Sequence, residues 1–237
     1  LISDDSLADK PTRQILAKKG WLTSTYNRTY EMHRLVQMLV LNHLKPTFDT
    51  CEKLYRSFRN LLDYYKVTAN PLAHQWLLGY GEALLAGIHF DEKLIKKAYL
   101  QNDLAHLYEV LGIYTQAERL YEDALRLKKE ALGTQHQEVA TALNNLAHLY
   151  KTQGKYAEAE SLYQEALQID KETIGTQHVE YAIDLNNLAS LYWKQGKYAE
   201  AEPLYQEALQ IDKETIGTQH SEYAKHLNNL ALLYDAQ

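Results

Sequence analysis

A single cysteine, Cys51, occurs in 237 residues, so no disulfide can close within the chain. A reducing compartment, the cytoplasm, is the expected setting. No apolar run approaches the roughly 20 residues that cross a bilayer. Leu1–Lys10 lacks the charged and apolar regions of a secretory signal. The first residue is Leu, which suggests a piece of a longer chain. No glycine-rich phosphate loop occurs, so this chain alone is not expected to bind or hydrolyse nucleotide. No Ser/His/Asp or Cys/His grouping stands out. The carboxylate pairs Glu158/Glu160 and Glu200/Glu202 sit at i, i+2, on different helix faces, and cannot share acid–base work. No catalytic residue and no cofactor is therefore expected. Disorder is excluded too, because 46% apolar and 24% charged residues make a chain that folds. Positive charge is scarce in the long C-terminal part: residues 1–70 hold 11 basic and 7 acidic side chains, residues 71–237 hold 14 and 24. Such an acidic arm argues against nucleic acid as its ligand, since phosphate neutralisation needs Lys and Arg.

What is present is repetition. Asn144, Asn186 and Asn228 open matching blocks, and residues 144–185 agree with 186–227 at 35 of 42 positions. Counting back one period reaches Asn102, where Asn-Asp-Leu-Ala-His-Leu-Tyr begins a more diverged copy. The fourth copy stops at Gln237, just before the expected Gly-Lys-Tyr, so the natural array is expected to continue. Within a block the apolar spacing is helical. Leu185, Leu188 and Tyr192 fall at i, i+3 and i+7, and Ala201, Tyr205, Ala208 and Leu209 repeat the pattern. Gly196 between the halves, and Gly175 and Gly217 between blocks, suit left-handed turns. Each block reads as two antiparallel helices, 178–194 and 197–215 in the third. Ala189, Ala201 and Ala208 permit close approach, and Tyr192, Tyr198 and Tyr205 fill the space between repeats. Pro203 is read as lying early enough in its helix to cost little. One pair cannot bury its apolar face alone, so the pairs must stack.

The pattern L-x-x-L-A-x-L-Y-x-x-Q-G-K-Y-x-E-A-E-x-L-Y-x-x-A-L resembles the tetratricopeptide repeat. The 42-residue period, paired Asn and Gly-Thr-Gln-His linker resemble the kinesin-light-chain variety. The resemblance covers residues 95–237. It implies a mostly α fold, a right-handed superhelical solenoid of helix pairs. Its concave groove, lined by each first helix, would bind peptides or protein surfaces.

Upstream, Cys51–Val67 and Leu72–Ala86 read as helices around the break at Ala69-Asn70-Pro71. Residues 46–94 are an adaptor pair or a degenerate repeat. Trp21–Thr25 and Thr29–Met32 read as a short β-hairpin around Asn27-Arg28. Helices are expected at Thr12–Lys19 before it and His33–Leu44 after it, so residues 1–45 read as a winged-helix-like segment. The run Tyr30-Glu31-Met32-His33-Arg34-Leu35-Val36-Gln37 resembles the closing winged-helix motif of STAND-class signalling ATPases, the NB-ARC family. There the Met-His-Asp version sets its His against the β-phosphate of ADP. Here Met32 and His33 match and Arg34 replaces the Asp. The resemblance implies a nucleotide-sensing role for His33 in a parent chain only.

Seven differences separate the two copied blocks: His148/Ser190, Lys151/Trp193, Thr152/Lys194, Ser161/Pro203, Val179/Ser221, Ile183/Lys225 and Asp184/His226. By analogy with the repeat fold, the rows of 183, 186, 190, 193 and 194 face the groove, and helical spacing puts them on one face. Only the row of Asn102, Asn144, Asn186 and Asn228 is constant. An amide both donates and accepts, so such a ladder can clamp a peptide backbone. His148, Lys151, Ile183, Trp193, Lys194, Lys225 and Leu232 would then choose side chains. The other reading is free drift of exposed positions, against which Lys197 and Glu200 stand unchanged. Trp193 is either a groove anchor beside Ile183 and Leu232 or a ring packed across a repeat interface. Lys151, Lys194 and Lys225 suit an acidic partner segment. The Lys-plus-Asn grip that related repeats use on a terminal carboxylate is absent. His136, His178 and His220 fall on successive repeats, about 10 Å apart and too far to share a metal. They are expected near helix starts, with no metal site.

The expected function is a non-catalytic protein-interaction module, the sensor or scaffold arm of a STAND-type ATPase. A cargo-adaptor arm like kinesin light chain and a self-assembling scaffold are the alternatives. The partner is a protein or peptide in the concave groove, with no nucleic acid for the repeat arm and no membrane. Oligomers through the parent ATPase or repeat stacking are open.

Overall fold

The computed structural model describes residues 22–25, 29–32, 52, 55, 56, 58, 59, 71–87, 90 and 93–236. The expected helices Thr12–Lys19 and His33–Leu44, His33 itself and most of Cys51–Val67 lie outside the described residues. Two strands, β1 (Leu22–Thr25) and β2 (Thr29–Met32), pair antiparallel with Leu22 opposite Met32. Eight helices follow among the described residues: α1 (Pro71–Gly87), α2 (Leu94–Val110), α3 (Tyr114–Leu132), α4 (Gln137–Thr152), α5 (Tyr156–Thr173), α6 (Val179–Lys194), α7 (Tyr198–Thr215) and α8 (Ser221–Ala236). The chain divides into two compact units between Leu111 and Gly112.

In the first unit α1 packs on α2. Pro71 opens α1, where an N–H would have no intrahelical partner anyway. Gly81 permits the approach, since a Cβ there would lie 2.5 Å from Leu104 Cδ2 and 2.7 Å from Phe58 Cζ. Arg59 Nε pairs with buried Asp103 at 3.1 Å.

In the second unit each helix packs on the next from α3 to α8, and the first helices of successive repeats also touch, α4 with α6 and α6 with α8. The helix starts explain the recurring histidines. His136, His178 and His220 cap α4, α6 and α8, each Nδ1 accepting the backbone N–H two residues on at 3.1–3.2 Å. The residue donating that N–H is Glu138, Glu180 or Glu222, a negative charge at the positive end of the helix. At the far end of α6, Gly196 takes φ 74°. Lys197 N–H then reaches Tyr192 O at 2.9 Å and Gly196 N–H reaches Trp193 O at 3.0 Å, which closes the helix in a Schellman turn.

Burial follows the period. Tyr181, Ala182 and Leu185 of α6 pack on Ala208 and Ile211 of α7. Leu188 and Leu191 pack back on Ala147, Ala159 and Tyr163 of the preceding repeat. Fully burying each such Leu is worth about 1.5–3 kcal/mol. Polar clamps sit at the same junctions. Tyr192 Oη donates to Glu160 at 3.0 Å while Lys197 Nζ lies 3.7 Å from the same carboxylate and 5.3 Å over the Tyr192 ring. One repeat earlier Lys155 pairs with Glu118 at 3.0 Å and covers Tyr150 at 4.8 Å.

Pro203 needs a correction. It is the sixth residue of α7, past the first turn, so the Ala199 carbonyl loses its helical donor. Its sibling in α5 is Ser161. Pro203→Ser is therefore expected to raise the unfolding free energy, by up to about 3 kcal/mol. Urea unfolding checks this, and an unchanged or lower midpoint would refute it.

Candidate functional site

The residues singled out above spread over the first helices. Asn102 is half-buried on α2 in the first unit. In the second unit the ladder amides differ among themselves. Asn144 Nδ2 donates to Asp184 Oδ1 on the next first helix. Asn186 is buried and its Oδ1 accepts from Asn229 Nδ2 at 2.9 Å. Asn228 is exposed. Two rungs are thus tied to the following repeat, and the constancy of the row has a structural cause beside any recognition role.

Trp193 is half-buried and packs on Ala189, Ala201 and Tyr205 together with Leu230 and Leu233 of α8. The ring therefore packs at a repeat junction, whereas Leu232, expected beside it, is 46% exposed. The indole Nε1 is buried with no acceptor. Lys194 Nζ lies 5.3 Å over the ring, a cation–π distance. Lys151 Nζ donates to Ser190 Oγ at 3.2 Å across the junction. Lys225 pairs with Glu222 at 2.7 Å, and His148, Lys194 and Lys225 are exposed, with Ile183 half-buried.

Of the seven differences, six reach the surface at least partly, and five of those lie on first helices. The exception is the pair Asp184/His226, counted among the differences but not among the groove rows. Asp184 is 1% and His226 2% exposed, and both face the second helix of the preceding repeat. Lys197, whose constancy seemed to argue against drift, is held by Glu160 and Tyr192. A Tyr-x4-Lys spacing across the Gly-Lys-Tyr turn, with a Glu 32 residues before the Tyr, was the available signal for these clamps.

A family model described as tetratricopeptide repeat matches residues 97–172 and 180–237, more than half of the chain. The chain belongs to the tetratricopeptide-repeat family. Its fold is that of a protein-interaction scaffold, a class that is typically non-catalytic. Similar solved structures include BtubC (BKLC) from P. vanneervenii, at 22% identity and a TM-score of 0.60, over 97% of this chain and 85% of that one. Another is a candidate kinesin light chain of Podosopora anserina with nearly identical repeats, at 23% identity and a TM-score of 0.62, over 76% of this chain and 85% of that one. At this identity the likeness speaks to the fold. No curated protein matches the chain.

The tetratricopeptide array carries no group of three or more His, Cys, Asp or Glu placed to hold a metal among the described residues. No helix among them is long and apolar enough to cross a membrane.

Proposed function

We propose that the array is a cytoplasmic, non-catalytic interaction module that takes a protein or peptide segment along its first helices. One observation carries this reading: two repeats otherwise copied diverge at five surface positions of the first helix. Second helices differ only at Ser161/Pro203. The contacts of α4 with α6 and α6 with α8 support a shared inner face. On it, exposed Asn228 offers an open amide, and Trp193 with Lys194 offers an aromatic–cationic pair. Lys151, Lys194 and Lys225 favour a segment with acidic residues beside an apolar one.

The test is selection of displayed random peptides on the immobilised protein. Enriched peptides should carry acidic residues beside an aromatic or aliphatic side chain. Trp193→Lys recreates the residue of the preceding repeat and so should fold. It should weaken selected peptides by about 2 kcal/mol, near thirtyfold, if the ring is a hot spot. No enrichment, or equal binding by Trp193→Lys, would overturn the proposal.

A second reading makes the array the sensor arm of a STAND-type ATPase. It is favoured by the antiparallel pairing of Leu22–Thr25 with Thr29–Met32 directly before His33. In that case ADP should bind the parent chain and not this one, and His33→Ala should weaken it. The fold shared with a candidate kinesin light chain favours a cargo-adaptor arm instead.

A further inference from the structure

Each repeat junction in the second unit sets residue 128, 170 or 212 of a second helix against the next first helix, where the matching residues are 142, 184 and 226. The chemistry differs at every step. Lys128 is buried and donates to Glu138 Oε2 at 2.8 Å, with Ala142 in the matching position. Asp212, fully buried, meets His226 with Nδ1 and Oδ2 2.7 Å apart. Between them stand two acids, Asp170 at 2% and Asp184 at 1% exposure.

The Asp170 and Asp184 carboxyls act on each other across this junction, at the positions that hold the Asp212–His226 contact one repeat on. Ionised carboxylates only accept, so a hydrogen bond between the two needs a proton on one of them. The oxygens agree with this. Asp170 Oδ1 and Asp184 Oδ2 are buried with no donor, and the other Asp184 oxygen already takes the Asn144 amide. One proton between the two carboxyls satisfies both open oxygens. The other charged groups facing the pair are Glu180 of α6 and the capping His178, so among the described residues no Lys or Arg offsets a second negative charge there.

We propose that the Asp170–Asp184 contact is a proton-held latch between α5 and α6, closed by one shared proton and loosened when that proton leaves. Burial pushes Asp170 up to about 6, although its bond to Asp184 pulls the other way, and burial with the Asp170 carboxyl beside it pushes Asp184 up to about 8. Both values lie above the ordinary carboxylate near 3.9. The folded chain therefore holds a proton that the unfolded chain has released. The stability that the raised carboxyls contribute is fully present below the ordinary carboxylate value and falls as pH rises, the first proton leaving through about 6 and the shared one through about 8, where the latch opens. The neighbouring Asp212–His226 pair needs no such proton, because the imidazole can supply one. Asn144 connects the latch to the proposed partner face, and that link alone rests on the partner-binding reading.

Carbon-13 NMR of aspartate-labelled protein, without any partner, reads the latch directly. The Asp170 and Asp184 carboxyl carbons should titrate above the ordinary carboxylate range, and Asp184→Asn should abolish the upper of their two steps. Asparagine can donate to Asp170 without titrating, so thermal melting should separate the two proteins. The wild type should lose about 5 °C or more between pH 6 and pH 9, and Asp184→Asn should lose much less. Asp170→Asn should give the same flat profile, which covers the case in which one variant folds poorly. Asp170 and Asp184 titrating in the ordinary range, or parallel melting profiles, would overturn the latch. A failed peptide selection would leave both readouts untouched.

Discussion

Tyr205→Ala is expected to cost the second unit about 3–5 kcal/mol, the range for emptying a large buried aromatic site. Tyr205 is 1% exposed and is the centre of the last complete junction, packed with Ala189, Ala201, Leu230 and Leu233. The removed ring leaves a void lined by side chains from three helices, and repeat helices cannot collapse independently to fill it. Tyr205→Phe should lose only the hydrogen bond with Ser190, about 1 kcal/mol. Urea unfolding of both variants separates volume from hydroxyl, and a Tyr205→Ala cost below that of Tyr205→Phe would contradict the assignment. The wild type should also weaken in strong alkali. Burial pushes the phenol up to about 12, so its contribution is lost as pH rises from the ordinary value of 10 through that point.

His226→Ala is expected to be comparably damaging near neutral pH, again about 3–5 kcal/mol, because it strands a buried partner. Asp212 is 0% exposed, and His226 supplies the contact at 2.7 Å. Burial pushes Asp212 up and His226 down, each toward its neutral form. Around them stand Glu222, His220 and Lys225. Without the imidazole, Asp212 has to take up a proton in the folded state. The cost of His226→Ala should therefore shrink as pH falls, since the raised carboxyl is then protonated with little penalty. Denaturant unfolding at pH 5 and pH 7.5 checks the sign. An equal cost at both would mean that the loss is one of packing volume.

Much of the architecture is legible in the residues themselves. The 42-residue period, the 3.6-residue apolar spacing and the glycines specify helix pairs and their turns. The third pair, read as 178–194 and 197–215, spans Val179–Lys194 and Tyr198–Thr215, with His178 and Lys197 as the caps. These features are local: a cap, a turn or an amphipathic stripe is written within a few residues of where it acts.

The site was less legible, because a side chain's exposure depends on a neighbour roughly forty residues away. Asn144 and Asn186 read as free rungs, yet Asp184 and Asn229 engage them. Lys197 reads as a solvated charge, yet Glu160 holds it from the preceding repeat. By itself the sequence determined the helix pairs, their caps and the necessity of stacking. Tertiary structure alone decided that position 184/226 is a buried junction and that Trp193 packs against the core of a repeat junction. It did so because stacking sets each helix against residues one full period away, and helical spacing within one repeat carries no record of them.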